Sequence, residues 1–243
     1  MKYFLYDVET TGLTRRDEVI QLSGFLLNED LRKEQIINFY CYTQVETNPE
    51  AQKVHGLDKK LLWELSGGKT FEEQIFQYDF LFNEKDITFV GYNISFDNRM
   101  VNQTLKNNGY DAMDFGSKVN SLTKCEGRHN FDLMKPLSSM FNHGVRMKLS
   151  DAATRIKFKS TAEINKVYEV IFDNVGMPEG FSDTLAKQTS VSKFHNSLYD
   201  SFIYWCLLLD YKTEINCMFR WFSSEIPPKG LKHSQRSHKG QRS

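Results

Sequence analysis

Three β-rich segments follow one another within the first 42 residues, and the short links between them restrict the topology the chain can adopt. Tyr3 to Tyr6 is an aromatic and aliphatic run that ends in Asp7. Val19 to Leu27 is a second apolar run, Asn28-Glu29-Asp30 turns the chain, and Gln35 to Tyr42 is a third run rich in β-branched and aromatic residues. Each reads as a strand, and successive strands on short links predict an antiparallel meander.

After the meander the pattern changes to alternating helix and strand. Thr70-Phe-Glu-Glu73 has the form of a capping box and predicts a helix to about Phe82. Ile87 to Tyr92 predicts a fourth strand, and a helix follows from about Phe96 to Lys106, closed by Asn107-Asn108-Gly109. Ser160-Thr-Ala-Glu163 predicts a further helix to about Phe172, residues 175–180 a loop, and Ser197 to Tyr211 the last helix. A meander followed by this alternation predicts an α/β fold: a mixed sheet with helices on its faces.

Asp7 and Glu9 stand two apart at the end of the first strand, so both side chains project from one face of it. Adjacent carboxylates repel unless a cation lies between them, and a hard all-oxygen pair suits Mg²⁺ or Mn²⁺. The pair by itself reads equally as a solvated strand end. Asp97, in Tyr92-Asn-Ile-Ser-Phe-Asp97, falls where the fourth strand passes into a helix, at the carboxyl edge where α/β sites gather. Alone it reads also as an acid favoured by the helix dipole. His195 and Asp200 open the last helix, where a capping histidine and a surface aspartate are the plainer readings.

Together these stretches resemble the DEDDh group of 3′→5′ exonucleases, the DnaQ-like family with a ribonuclease-H-like fold. Asp7-Val-Glu9-Thr-Thr-Gly-Leu13 resembles the first motif, Asn93-Ile-Ser-Phe-Asp97 the second, and His195-x₄-Asp200 the third. The sister group carries Tyr-x₃-Asp, and position 196 here is Asn. Val54-His-Gly-Leu57, Asp132-Leu-Met-Lys135 and Lys148-Leu-Ser-Asp151 are weaker echoes, and the resemblance spans about residues 2–211.

The resemblance implies a ribonuclease-H-like mixed five-stranded sheet flanked by helices. It also implies a two-cation site for Mg²⁺ or Mn²⁺ on Asp7, Glu9, Asp97 and Asp200, with His195 taking the proton of the attacking water. Asp7, Glu9 and Asp200 would hold one metal, and Asp7 would bridge to a second that Asp97 supports. The implied product is a 5′-mononucleotide. Thr10, Thr11, Gly12 and Leu13 are implied to grip the terminal nucleotide, with Leu13 beside its base. A tight turn with Leu13 in the core is the structural alternative. Phe96 and Asn93 are further substrate-binding candidates, Phe96 reading also as a buried aromatic. His55 is a candidate too, with a structural hydrogen bond as the alternative. The expected substrate is a single-stranded DNA 3′ end. An RNase or oligoribonuclease, or a proofreading subunit with a polymerase partner, would use the same chemistry. Oligomeric state is open.

Charge qualifies this expectation. The chain has 31 Lys+Arg and 31 Asp+Glu, which excludes a strongly basic nucleic-acid coater. The sum is uneven: Pro227 to Ser243 holds five basic residues and no acid, leaving 26 basic against 31 acidic before it. Residues 1–226 are expected to form a single exonuclease domain with an insertion at about 157–194, and 227–243 a basic tail unable to pack. Cations bound at the acidic cluster would make the local field attractive to phosphate.

Other features exclude alternatives. The apolar run Phe202–Leu209 is too short to span a bilayer, and the start of the chain has no secretory pattern. Cys41, Cys125, Cys206 and Cys217 make no disulfide framework, so reduced thiols in a cytoplasmic protein are expected. Ser66-Gly-Gly-Lys-Thr70 lacks the earlier glycine of a phosphate loop, since position 63 is Trp. Cys125 and His129 lack zinc spacing, and Met134 and Met140 are expected in the core.

Overall fold

The computed structural model describes residues 2–83, 86–110, 129–156 and 196–211. His195, Cys125, Cys217, the expected helix at 160–172, the loop at 175–180, the insertion at 157–194 and the tail at 227–243 lie outside them.

Strand β1 (Lys2–Thr10) runs at the centre of a five-stranded sheet with order β3-β2-β1-β4-β5. Strands β2 (Val19–Leu27) and β3 (Lys33–Tyr40) extend it antiparallel on one side, as the meander predicts. Strands β4 (Ile87–Gly91) and β5 (His129–Asp132) extend it parallel on the other. The mixed five-stranded sheet is the one expected. Strand β1 reaches three residues beyond Asp7, so both acidic residues lie within a paired strand and not past its end. Strand β3 begins and ends two residues earlier than its composition suggests.

Two short helices beyond those expected follow the meander. Helix α1 (Pro49–His55) is capped by Asn48, whose side chain accepts from the Glu50 N–H, and ends at Gly56 with φ 76°. Helix α2 (Lys59–Ser66) is capped by Asp58, which accepts from the Leu61 N–H, and ends at Gly67 in the same left-handed region. The glycine pair 67–68 therefore terminates a helix.

The helix expected at 70–82 is broken. The Thr70–Glu73 capping box opens α3 (Phe71–Ile75), a 3₁₀ turn covers Phe76–Tyr78, and α4 spans Phe80–Asn83. A continuous helix would place Asp79 one turn after buried Ile75, on the same inward face. The tighter turn leaves Asp79 exposed and buries Leu81 instead.

Helix α5 (Ile94–Asn107) starts two residues earlier than Phe96, α6 spans Met134–Phe141 and α7 Leu149–Ala153. Met134 and Met140 are half-buried and stand outside the core cluster. Helix α8 is Ser197–Asp210. Asn196 caps it, accepting from the Leu198 and Tyr199 N–H groups at 3.1 and 3.4 Å.

Side chains alternate across β1 and separate two layers. Phe4, Tyr6 and Val8 join the core under α5 and α3, with Phe89, Ile94, Met100, Val101, Phe71 and Ile75. The opposite face carries Leu5, Asp7 and Glu9, beside Phe25, Ser23 and Gln21 of β2. Helix α8 covers this face: Phe202 and Trp205 pack on Phe25, at ring separations of 6.4 and 5.5 Å.

A polar seam fixes α8 on the sheet. The hydroxyls of Ser23 and Ser197 share a hydrogen bond of 2.8 Å, and Ser201 donates to the Ser23 carbonyl at 3.0 Å. Ser23 in turn donates to Asn38 Oδ1 at 2.6 Å, as does Gln21 at 3.1 Å.

Candidate active site

The site forms where β1 runs past its parallel neighbour. Pairing with β4 ends at Leu5↔Val90, while pairing with β2 continues to Thr10, with a register shift between Glu9 and Thr10. On the β4 side the last residues of β1 are open to other partners. The irregularity also re-aims the end of the strand, as bulges near sites do.

Helix α5 fills this opening. Asn93, between β4 and α5, has φ 67°, a conformation that asparagine tolerates well. Its N–H donates to Asp132 Oδ1 at 2.8 Å, and the same oxygen accepts from the Met134 N–H at 3.1 Å. Asp132, one of the weaker motif echoes, therefore pins the turn that aims α5. Asp97 then lies in the first turn of α5, with 2% of its surface exposed.

From the other side α8 brings Asp200, also buried. One carboxylate oxygen from each of Asp7, Glu9 and Asp200 lies within 4.8 Å of the others. Among the described residues no lysine or arginine salt bridge reaches Asp7, Glu9 or Asp97.

The electrostatic consequence is clear in each group. Loss of hydration pushes the Asp7 carboxyl up to about 7, against a hydrogen bond from Tyr204 that pulls it down. Glu9 is held well above the ordinary carboxylate range, first by burial and then by repulsion from Asp7, Asp200 and Asp97. Asp97 is raised by burial and by Asp7, while the backbone N–H groups of Asp97 and Val8 favour its charged form. A hard, all-oxygen cluster whose members disfavour their own ionisation fits a divalent cation, which removes both penalties.

Tyr204 was not expected. Its hydroxyl donates to Asp7 Oδ1 at 2.6 Å, and its ring stacks near Tyr92 at 6.4 Å. Its one available signal was position: Tyr204 follows Asp200 by four residues and so shares its helix face. On the other face of β1, Tyr6 donates to Asn98 of α5, beside Asp97.

The remaining candidates divide. Leu13 is 74% exposed, so the alternative that put it in the core does not hold. Thr10, Thr11 and Gly12 are buried at the end of β1, adjoining the cluster. Thr10 donates to the Gly12 carbonyl at 2.8 Å and Thr11 to Asp17 Oδ1 at 3.0 Å. The close approach at Gly12 is that of Asp17: a Cβ there would stand 2.8 Å from its carboxylate. His55 accepts the Leu57 N–H on Nδ1 at 3.1 Å, a structural bond at the end of α1. Phe96 is half-buried against the core, with the Arg99 guanidinium 5.2 Å from its ring centre. Cys41 and Cys206 are buried free thiols.

Comparison with known proteins decides the family. The family model described as Exonuclease (RNase_T) matches residues 4–163, a span that includes Asp7, Glu9 and Asp97. The chain belongs to the DnaQ-like 3′→5′ exonuclease family. Solved structures agree on the exonuclease fold. Escherichia coli exonuclease I in complex with a dA16 oligonucleotide superposes with TM-score 0.60 at 15% identity, over 90% of this chain and 42% of that one. A moderately thermophilic exonuclease I from Methylocaldum szegediense gives 0.56 at 19%, over 90% and 43%. The E. coli enzyme with dT13 gives 0.57 at 16%, again over 90% and 43%. This exonuclease chain spans less than half the length of those proteins. No curated protein sequence matches it. No described helix is long and apolar enough to cross a membrane.

Proposed function

We propose that this protein is a metal-dependent 3′→5′ exonuclease that releases 5′-mononucleotides from single-stranded DNA. The observation that carries the reading is the convergence of Asp7, Glu9 and Asp200 within 4.8 Å, with buried Asp97 close enough to repel Glu9 and Asp7. The likeness to exonuclease I bound to oligonucleotides supports single-stranded DNA as the substrate.

Asp7, Glu9 and Asp200 would hold one divalent cation, and Asp7 with Asp97 a second, Mg²⁺ or Mn²⁺. Two such ions, when bound, supply positive charge to the attacking and leaving oxygens of an in-line phosphoryl displacement. The chain's own contributions are distinct from this. His195, one residue before the cap of α8, would accept the proton of the attacking water; an unperturbed imidazole, pKa near 6.5, is largely neutral at pH 7. Tyr204 holds one oxygen of Asp7 by donating its hydroxyl to it. Thr10, Thr11 and Gly12 would line the place of the terminal nucleotide. Leu13, exposed beyond them, would pack against its base, with Asn93, Phe96 and His55 as outer candidates.

The test is direct. Protein with Mg²⁺ is incubated with 5′-labelled DNA and RNA oligonucleotides. The expected result is a ladder shortened from the 3′ end, DNA ahead of RNA, with 5′-mononucleotides as products and no turnover by Asp7→Asn. Absence of degradation on both substrates, with metal binding confirmed, would overturn the reading.

A further inference from the structure

The loop from Thr11 to Glu18, between β1 and β2, has a fixed shape. Thr11 N–H donates to the Glu18 carbonyl at 2.9 Å, and Glu18 N–H returns a bond to Thr11 Oγ1 at 3.0 Å. Thr14 N–H donates to Asp17 Oδ2 at 2.6 Å. Helix α5 clamps the loop from below. Gln103 donates through Nε2 to the carbonyls of Thr14 and Asp17 at 2.8 and 2.5 Å, and Asn107 donates to the Arg15 carbonyl at 3.4 Å.

The loop also sorts its charges. Its acids face inward: Asp17 and Glu18 are each only 8% exposed. The Glu18 carboxylate accepts from Thr43 at 2.5 Å and Asn108 at 3.2 Å. Its bases face outward: Arg15 and Arg16 are exposed, and neither forms a salt bridge among the described residues.

Helix α5 continues the cationic surface. Arg99, Gln103 and Lys106 recur at helical spacing and share one face, with Arg99 and Lys106 exposed on either side of the glutamine that clamps the loop. Arg99 is held in place by the Phe96 ring and by a 3.2 Å bond to Gln103. Arg99 lies two residues, about 200° round the helix, beyond Asp97, so the row runs roughly 10 Å along the outer face of α5, beside the loop whose Thr10–Gly12 end adjoins the acidic cluster.

We infer that Arg15, Arg16, Arg99 and Lys106 form a phosphate-gripping ridge for the strand that leads into the site. The inference rests on the nuclease reading above and extends it to nucleotides beyond the terminal one. A rigid loop with its acids hydrogen-bonded inward and its arginines outward without a salt bridge among the described residues is pre-organised for an extended polyanion, which lowers the ordering cost of binding. Phosphate contacts of this kind are indifferent to base identity, as an exonuclease requires.

The experiment measures binding of 5′-fluorescein oligo(dT) as a function of salt, in an Asp7→Asn background so that the strand survives. Each phosphate contact contributes about 0.7 to the slope of log affinity against log salt on a single strand. Arg15→Ala/Arg16→Ala is expected to lower that slope by about 1.4, and Arg99→Ala/Lys106→Ala to lower it in the same sense. Arg15→Lys/Arg16→Lys restores it, because a point charge suffices. Lys53→Ala, on α1, leaves it unchanged. In protein with Asp7 intact, the alanine pairs raise KM and leave kcat at saturation as it was. Unchanged slopes in both alanine pairs, with unchanged melting temperatures, would overturn the ridge. Failure of the nuclease reading shows separately, as absence of 3′ degradation when all four cations are present.

Discussion

Tyr204 donates its hydroxyl to Asp7 Oδ1 at 2.6 Å and so joins α8 to the first strand across 197 positions of sequence. The bond orients a carboxylate of the proposed metal site. Partners of this kind typically contribute a factor of about 10 to 100 in metal affinity. Tyr204→Phe is therefore expected to weaken Mn²⁺ binding by about that factor in a calorimetric titration. The cost to stability is only about 1 kcal/mol, the net worth of one hydrogen bond. Unaltered Mn²⁺ affinity would remove Tyr204 from the site.

The raised acids predict how stability varies with pH. Asp7 rises from an ordinary 3.8 to about 7, and Glu9 and Asp97 are raised as well. Between those values the folded protein holds protons that the unfolded chain has released. Stability of the metal-free protein is thus greatest below about pH 4 as far as Asp7 is concerned, and falls as pH rises to about 7. Melting temperatures in a chelator should decline across that window, and Asp7→Asn should flatten the decline. The same protons compete with metal, so apparent Mn²⁺ affinity should increase over the same range. A melting temperature that rises towards neutrality without metal would contradict the assignment.

Gly12 tests the loop. A methyl group there meets the Asp17 carboxylate at 2.8 Å and displaces the acceptor of Thr14 N–H and Thr11 Oγ1. Gly12→Ala is expected to cost about 1–3 kcal/mol, the scale of overpacking and of a lost buried acceptor. Denaturant unfolding measures this, and Gly12→Ala/Asp17→Ala should recover part of the clash while leaving the loop loosened.

The seam under α8 gives a fourth prediction. Ser23→Ala removes the partner of Ser197 and of Asn38. The expected loss is about 1–3 kcal/mol, that of leaving buried polar groups unsatisfied. Because Ser197 and Ser201 flank Asp200 on α8, metal affinity should fall with it. A stability loss with unchanged metal affinity would show that the seam holds the helix without setting the site.

Much of the architecture is legible in local pattern. The β2 run and α8 emerge as apolar runs, the start of α3 from its Thr70–Glu73 cap, and α5 to within two residues of its start. Helix α1 has no buried residue and so leaves no such trace, while α2 is only eight residues long and buries Leu62 and Ser66. Their signals were the caps, Asn48-Pro49 with Gly56 and Asp58 with Gly67. The break at Phe76–Tyr78 is invisible to a capping argument, which marks where a helix starts and not how far its inward face persists.

For the site, the sequence by itself determined the chemistry on offer: two acids one pleat apart on β1, one acid at the start of α5 and one on α8. Those placements follow from backbone periods of 2 and 3.6 residues, which are local. Only the tertiary structure decided that these acids share one hydration-poor space and that Tyr204 holds Asp7. It also decided that the Asp17 carboxylate packs against Gly12. Each of these depends on how α8 and α5 seat on opposite faces of the sheet, through Ser23, Ser197, Asn93 and Asp132. Such seating is set by long-range packing and hydrogen bonding between segments up to about 200 residues apart, which no local repeat encodes.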